Sequence, residues 1–189
     1  MRKLIGTALL VAGVLVTPSL AVAQMAHADA KHEFGVDLLV AYSKPDGGDG
    51  AVLIGTPVDL RVGFASKSKL MIEPRFTFDF NSKGGIDTTT FEATSAFIFT
   101  PGLNFLVALG PGGHRSGAYF TVGAAYDIAD FGDISASQFS INGGVGTRSA
   151  YGSGAFRPEA FIRYDLENTS DGIPSALTIG VRLGLSLWH

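Results

Sequence analysis

The stretch KLMIEPRFTFDFN, residues 69–81, has two unlike faces. Leu70, Ile72, Pro74, Phe76, Phe78 and Phe80 share one; Lys69, Met71, Glu73, Arg75, Thr77, Asp79 and Asn81 share the other. Alternation this strict predicts a β-strand, because successive side chains of a strand point to opposite sides. The fold then depends on which face meets water. In a soluble sheet the phenylalanines would be the core.

Outward from this stretch the same texture continues. Eight strands are predicted, at 33–42, 52–64, 69–81, 91–107, 118–128, 138–147, 155–166 and 176–188. Between them lie segments rich in Gly, Pro, Asp, Asn and Ser, such as SKPDGGDGA and ENTSDGIPS, which is turn chemistry. No stretch of the mature chain has a helix period. Several strands exceed the roughly 5–6 residues usual in soluble sheets and reach the roughly 9–11 that cross a bilayer at a tilt.

Every predicted strand has one face without charge. The first offers Phe34, Val36, Leu38, Val40 and Tyr42; the last offers Leu177, Ile179, Val181, Leu183, Leu185 and Leu187. The opposite faces collect Glu33, Asp37, Asp127, Arg148 and the further charges named below, together with glycines such as Gly35, Gly63, Gly123, Gly146 and Gly184. Two features decide the polarity. Beyond residue 30, lysine occurs only at 31, 44, 67, 69 and 83, at strand ends or in connections. The polar faces use arginine instead, whose planar fork suits enclosed pairing with carboxylates. Glycine mixed with large charged residues also suits a narrow lumen, since eight strands leave room only for side chains.

The expected fold is therefore all-β: an eight-stranded antiparallel up-and-down transmembrane β-barrel with a polar, charge-paired lumen. Closure pairs every backbone group, as hydrocarbon requires. The luminal network is expected to comprise Asp59, Arg61, Glu73, Arg75, Asp79, Arg157, Glu159, Arg163, Asp165 and Arg182. With Phe64 opposite Leu70, Arg61 would face Glu73 and Asp59 would face Arg75; a second hairpin would set Asp165 opposite Arg182. Pro57, Pro74, Pro101 and Pro158 fall inside strands, and bulges are expected there.

The N-terminus reads as an export signal. Arg2 and Lys3 precede an apolar run from Leu4 to Val16, too short to span a bilayer, and Ala21-Val22-Ala23 is a cleavage site. Two segments follow: a signal peptide at 1–23 and a barrel domain at 24–189. Residues 24–189 carry 12 Lys+Arg against 17 Asp+Glu, a balance that argues against nucleic acid. The chain has no cysteine, so no disulfide framework supports the exported fold.

Strand number, alternation and the ending TIGVRLGLSLWH together resemble the small bacterial outer-membrane barrels: the transmembrane domain of outer membrane protein A, the outer membrane protein X group and the wider porin-like β-barrel family. Such barrels usually end on an aromatic in phase with the apolar row. Here His189 is in phase with Leu187, and Trp188 is not. The resemblance implies location in the Gram-negative outer membrane, periplasmic termini, and outer connections near 43–51, 82–90, 129–137 and 167–175. It implies lipid and lipopolysaccharide as surroundings, a monomer, and no peptidoglycan-binding domain.

Function is expected to be structural or envelope-interacting, with no cofactor, no metal site and no catalysis. Three readings compete with it. A narrow pore would conduct through the lumen. A soluble lipocalin-like barrel would hold ligand among the phenylalanines. A lipid A-modifying enzyme would need a nucleophile and base together at the outer rim, but His27, His32, His114 and His189 all fall in the tail or at the periplasmic end. Acidic loop residues such as Asp46, Asp49, Asp130 and Asp171 would be solvated or would meet divalent ions.

Overall fold

A computed structural model describes residues 31–54, 58–66, 69–86, 93–110, 113–130 and 135–189. The expected signal peptide and Pro57 lie outside the described residues. The elements are β1 (His32–Pro45), β2 (Ala51–Ile54), β3 (Val58–Ala65), β4 (Leu70–Ile86), β5 (Ala93–Ala108), β6 (Gly117–Asp130), β7 (Ser135–Tyr151), β8 (Gly154–Asp165) and β9 (Ala176–Trp188).

Each strand pairs antiparallel with its neighbour, and β1 closes the ring on β9 from Glu33↔Trp188 to Pro45↔Ala176. β2 and β3 border β1 on its other edge and share one place in the ring, so the barrel is eight-stranded. The predicted strand 52–64 is thus two segments. From Val40↔Ile54 to Asp37↔Asp59, β1 advances from 40 to 37 while its partner advances from 54 to 59. The register shifts by two residues across that interval.

The other prolines behave differently. Bulges were expected at Pro74, Pro101 and Pro158, yet the registers on either side of each are unchanged. Each proline interrupts the ladder towards one neighbour only. Pro74 remains opposite Leu103, Pro101 opposite Phe76, and Pro158 opposite Leu183. A ring nitrogen removes one donor on one side, and a missing rung costs less than displacing every later side chain by one position. The irregularity in β4 lies elsewhere, between Asn81 and Gly85.

Burial follows the inside-out polarity. Phe34, Val36, Leu38, Leu60, Phe76, Phe105, Ile141, Ile162 and Leu187 are all exposed, Leu187 by 63%. Glu33, Arg61, Glu73, Arg157 and Glu159 are buried, with Glu73 at 0%. Tyr42, Tyr126 and Tyr164 stand on the outward face near the β1-exit end and Tyr151 near the other, where amphipathic rings suit the headgroup level. The soluble lipocalin-like reading fails here, because the phenylalanine rows point away from the lumen.

An apolar plug of Met71, Leu106, Tyr119, Ala155 and Trp188 is buried at the chain-termini end of the lumen. Trp188 is buried while Leu187 is exposed. Its phase, anomalous for a lipid-facing aromatic, is the phase of a luminal one.

Candidate functional site

Above the plug five arginines meet five carboxylates. Arg61 donates from Nη1 to Glu33 Oε1 at 2.5 Å and from Nε to Asp37 Oδ1 at 3.0 Å. Arg148, on the far wall, reaches Glu33 Oε2 at 2.5 Å and the His114 carbonyl at 2.6 Å. Arg75 bridges two acids, donating from Nη2 to Asp37 Oδ2 at 2.5 Å and also to Asp59. Arg157 pairs with Glu73, reaches Glu159 Oε2 at 3.0 Å, and donates from Nε to the Tyr119 hydroxyl at 2.7 Å. Tyr119 in turn donates to Glu159 Oε2 at 3.0 Å. Arg182 completes the set on Glu159 Oε1 at 2.8 Å, with its guanidinium 3.9 Å from the Phe161 ring centroid.

Glu73 is the hub. Besides Arg157 it has Arg75 Nη1 at 3.3 Å, Arg61 Nη1 at 3.9 Å and Arg148 Nη2 at 4.0 Å. Five charges of each sign leave this layer neutral. Burying it is tolerable because each charged group has an opposite partner and charge-assisted hydrogen bonds.

Two glycines create the space. A Cβ on Gly35 would strike the Arg61 guanidinium, and one on Gly184 would strike the Asp37 carboxylate and lie 2.9 Å from Arg61 Nη2. Gly184 stands opposite Asp37 and Gly35 opposite Arg61 in the ladders. Each bulky group therefore lies over a neighbour with no side chain.

A smaller cluster sits nearer the other end. Arg163 donates from Nε to Asp165 Oδ1 at 2.6 Å and from Nη2 to Asp127, whose Oδ1 accepts from Thr100 Oγ1 at 2.6 Å. These groups are only part-buried. Asp79 shares the inward phase, half-buried, but forms no ion pair among the described residues.

Two expected registers need correction. Phe64 stands opposite Ile72, not Leu70, so Arg61 faces Arg75 and Asp59 faces Thr77. Asp165 stands opposite Ala176, and Arg182 opposite Glu159. Direct opposition pairs Arg182 with Glu159, but it does not pair the charges of the β3–β4 hairpin. Asp37 and Asp59 face each other and are bridged by Arg75; Arg61 and Arg75 face each other and are bridged by Asp37. Long side chains reach diagonally, so charge matching across one hairpin does not set its register.

Nine of the ten residues singled out from sequence take part in these ion pairs. Glu33, Asp37, Asp127 and Arg148 are also members, as is the Tyr119 hydroxyl. All four charges were legible as polar-face residues. What hid them is distance along the chain: Arg148 and Glu33 lie 115 residues apart on non-neighbouring strands. At the same end the His114 carbonyl accepts from Arg148, and the Arg115 guanidinium lies 5.6 Å from the Trp188 ring centroid.

A closed ring with an ionic interior and an apolar exterior defines a membrane-spanning β-barrel. Residues 12–185 match the family model described as the outer membrane protein beta-barrel domain, and the chain belongs to that family. The family places it in the outer membrane. Among curated proteins none matches the sequence. Among solved structures, the chain is similar to Ail, the attachment invasion locus protein of Yersinia pestis, with 10% identity and a TM-score of 0.49 over 85% of this chain and 99% of that one. A second structure of Ail, in complex with the heparin analogue sucrose octasulfate, gives the same values.

Proposed function

We propose that the protein is a non-conducting, non-catalytic structural barrel of the Gram-negative outer membrane, monomeric and set among lipopolysaccharide. The observation that carries this reading is the neutral layer of five arginines and five carboxylates lying directly on the apolar plug. An open path would need mobile charges and water. Here the ionic side chains hold one another, and Met71, Leu106 and Trp188 fill the space beneath. Export by a cleaved signal peptide at 1–23 belongs to the same proposal, as does the periplasmic placement of both termini.

Planar-bilayer recording tests closure: the purified full chain, reconstituted in 1 M KCl, is expected to give no stable single-channel steps. Regular steps would establish the narrow-pore reading. Cell fractionation with N-terminal sequencing tests export, the expected product being an outer-membrane protein beginning at Gln24. Heat-dependent gel migration of the detergent-extracted protein tests the intact barrel.

A further inference from the structure

The connection from β5 to β6 runs over residues 109–116, whereas 152–153 suffice between β7 and β8. Its base is closed by the Leu109 N–H, which donates to the Ala118 carbonyl at 2.8 Å. Near its end, His114, Arg115 and Ser116 stand between two glycines in the left-handed region, Gly113 at φ 64° and Gly117 at φ 101°. Three contacts hold this strap across the end of the barrel. Arg148, on β7, donates to the His114 carbonyl at 2.6 Å. Arg115 Nη2 donates to the Gly152 carbonyl, in the β7–β8 turn, at 3.4 Å. The Arg115 guanidinium also lies over the Trp188 ring.

Trp188 stands where the ring closes. It lies opposite Glu33 on β1, and its backbone N–H donates to the Ser153 carbonyl at 2.8 Å. Chain ends fray unless something ties them down, and this strand end is one end of the seam between the first strand and the last. A second guanidinium, that of Arg148, lies over the same ring and is also 5.2 Å from the Tyr119 ring centroid. Alternating cations and rings thus join the strap to the ionic layer.

We propose that Arg115 is a latch on the barrel seam: carried by the strap, it keeps the C-terminal end of β9 seated between β1 and β8 by holding the Trp188 ring inside the lumen. To fray, β9 must withdraw a buried ring from two guanidinium groups that belong to separate elements, and each such contact resists that movement. The latch works the same way whichever side of the membrane this end faces.

Hydrogen–deuterium exchange of the full chain folded in detergent, read by mass spectrometry, tests it. Arg115→Gln is expected to speed exchange of the β9 segment 183–188 about fivefold, the loss of one cation–π contact at a partly exposed site. The β7 segment 139–145 should be unchanged. Lys69→Gln, at an exposed cation of the same barrel end, should alter neither segment. Arg115→Gln placed on Trp188→Leu should add nothing to the effect of Trp188→Leu alone, because the latch then has no ring to hold. Heat-dependent migration shows which variants are folded. Should Arg115→Gln lose it, Gly117→Ala carries the same test: a Cβ there meets no atom within 4 Å, so alanine strains only the backbone of the strap. Parental exchange at 183–188, acceleration spread equally over β7, or further acceleration by Arg115→Gln in the Trp188→Leu chain would overturn the proposal.

Discussion

Glu73 sits between Arg157, Arg75, Arg61 and Arg148 with no exposed surface. Glu73→Ala leaves several buried guanidinium groups without compensation, and breaking such a pair typically costs about 3–5 kcal/mol. A lower urea midpoint for unfolding from lipid vesicles is the expected result. Asp79→Asn, at a half-buried site outside the ion pairs described, should change that midpoint by less than about 0.5 kcal/mol. A second prediction concerns Gly35. Valine there would force Arg61 off Glu33 and Asp37, since its Cβ occupies the guanidinium position. Gly35→Val is expected to lower the same midpoint, whereas valine at Gly143, whose Cβ would meet only a backbone oxygen at 3.5 Å, should leave it nearly unchanged. The chemistry of each residue was readable from its type. Which glycine served which arginine was not, because the partner comes from another strand.

At the scale of elements, two predictions follow from register and phase. The β3–β4 hairpin places Phe64 opposite Ile72. A Phe64→Cys, Ile72→Cys pair should therefore form a disulfide on oxidation, and Phe64→Cys with Leu70→Cys should not. The β9 terminus turns Trp188 inward against Arg148, whose guanidinium is 5.4 Å from the ring centroid. As Trp188 is the only tryptophan, its fluorescence should be little quenched by lipids brominated on their acyl chains. Moving it one residue, by Leu187→Trp with Trp188→Phe, should restore strong quenching. The alternation that defines these strands was plain in the sequence. The unbroken registers at Pro74, Pro101 and Pro158 were not, because a proline declares a lost donor without saying which neighbour loses it.

For the whole molecule, closure is the property that matters. β1 carries β9 along nearly its full length and β2 with β3 along the other edge. The described strands thereby present no free sheet edge, the condition for strands in hydrocarbon. The absence of measurable conductance proposed above belongs to this scale, because six of the eight walls contribute charges to one neutral layer. Deleting β9 would expose the edge of β1 and of β8 and remove Arg182 and Trp188 together. Such a chain is expected to lose heat-dependent migration altogether, where single substitutions in the network lower stability but keep it.

Sequence by itself determined the polarity of this protein. A two-residue period is local, so each strand's charged and apolar faces could be assigned without knowing its neighbours, and the placement of lysine at strand ends and of arginine on the polar faces said which face was enclosed. Tertiary structure alone decided who meets whom. Ion pairs such as Arg148 with Glu33, or Arg157 with Glu73, span a lumen whose walls are brought together only by ring closure. Their geometry depends on strand order, stagger and the reach of long side chains, none of which is encoded in the spacing within any one strand.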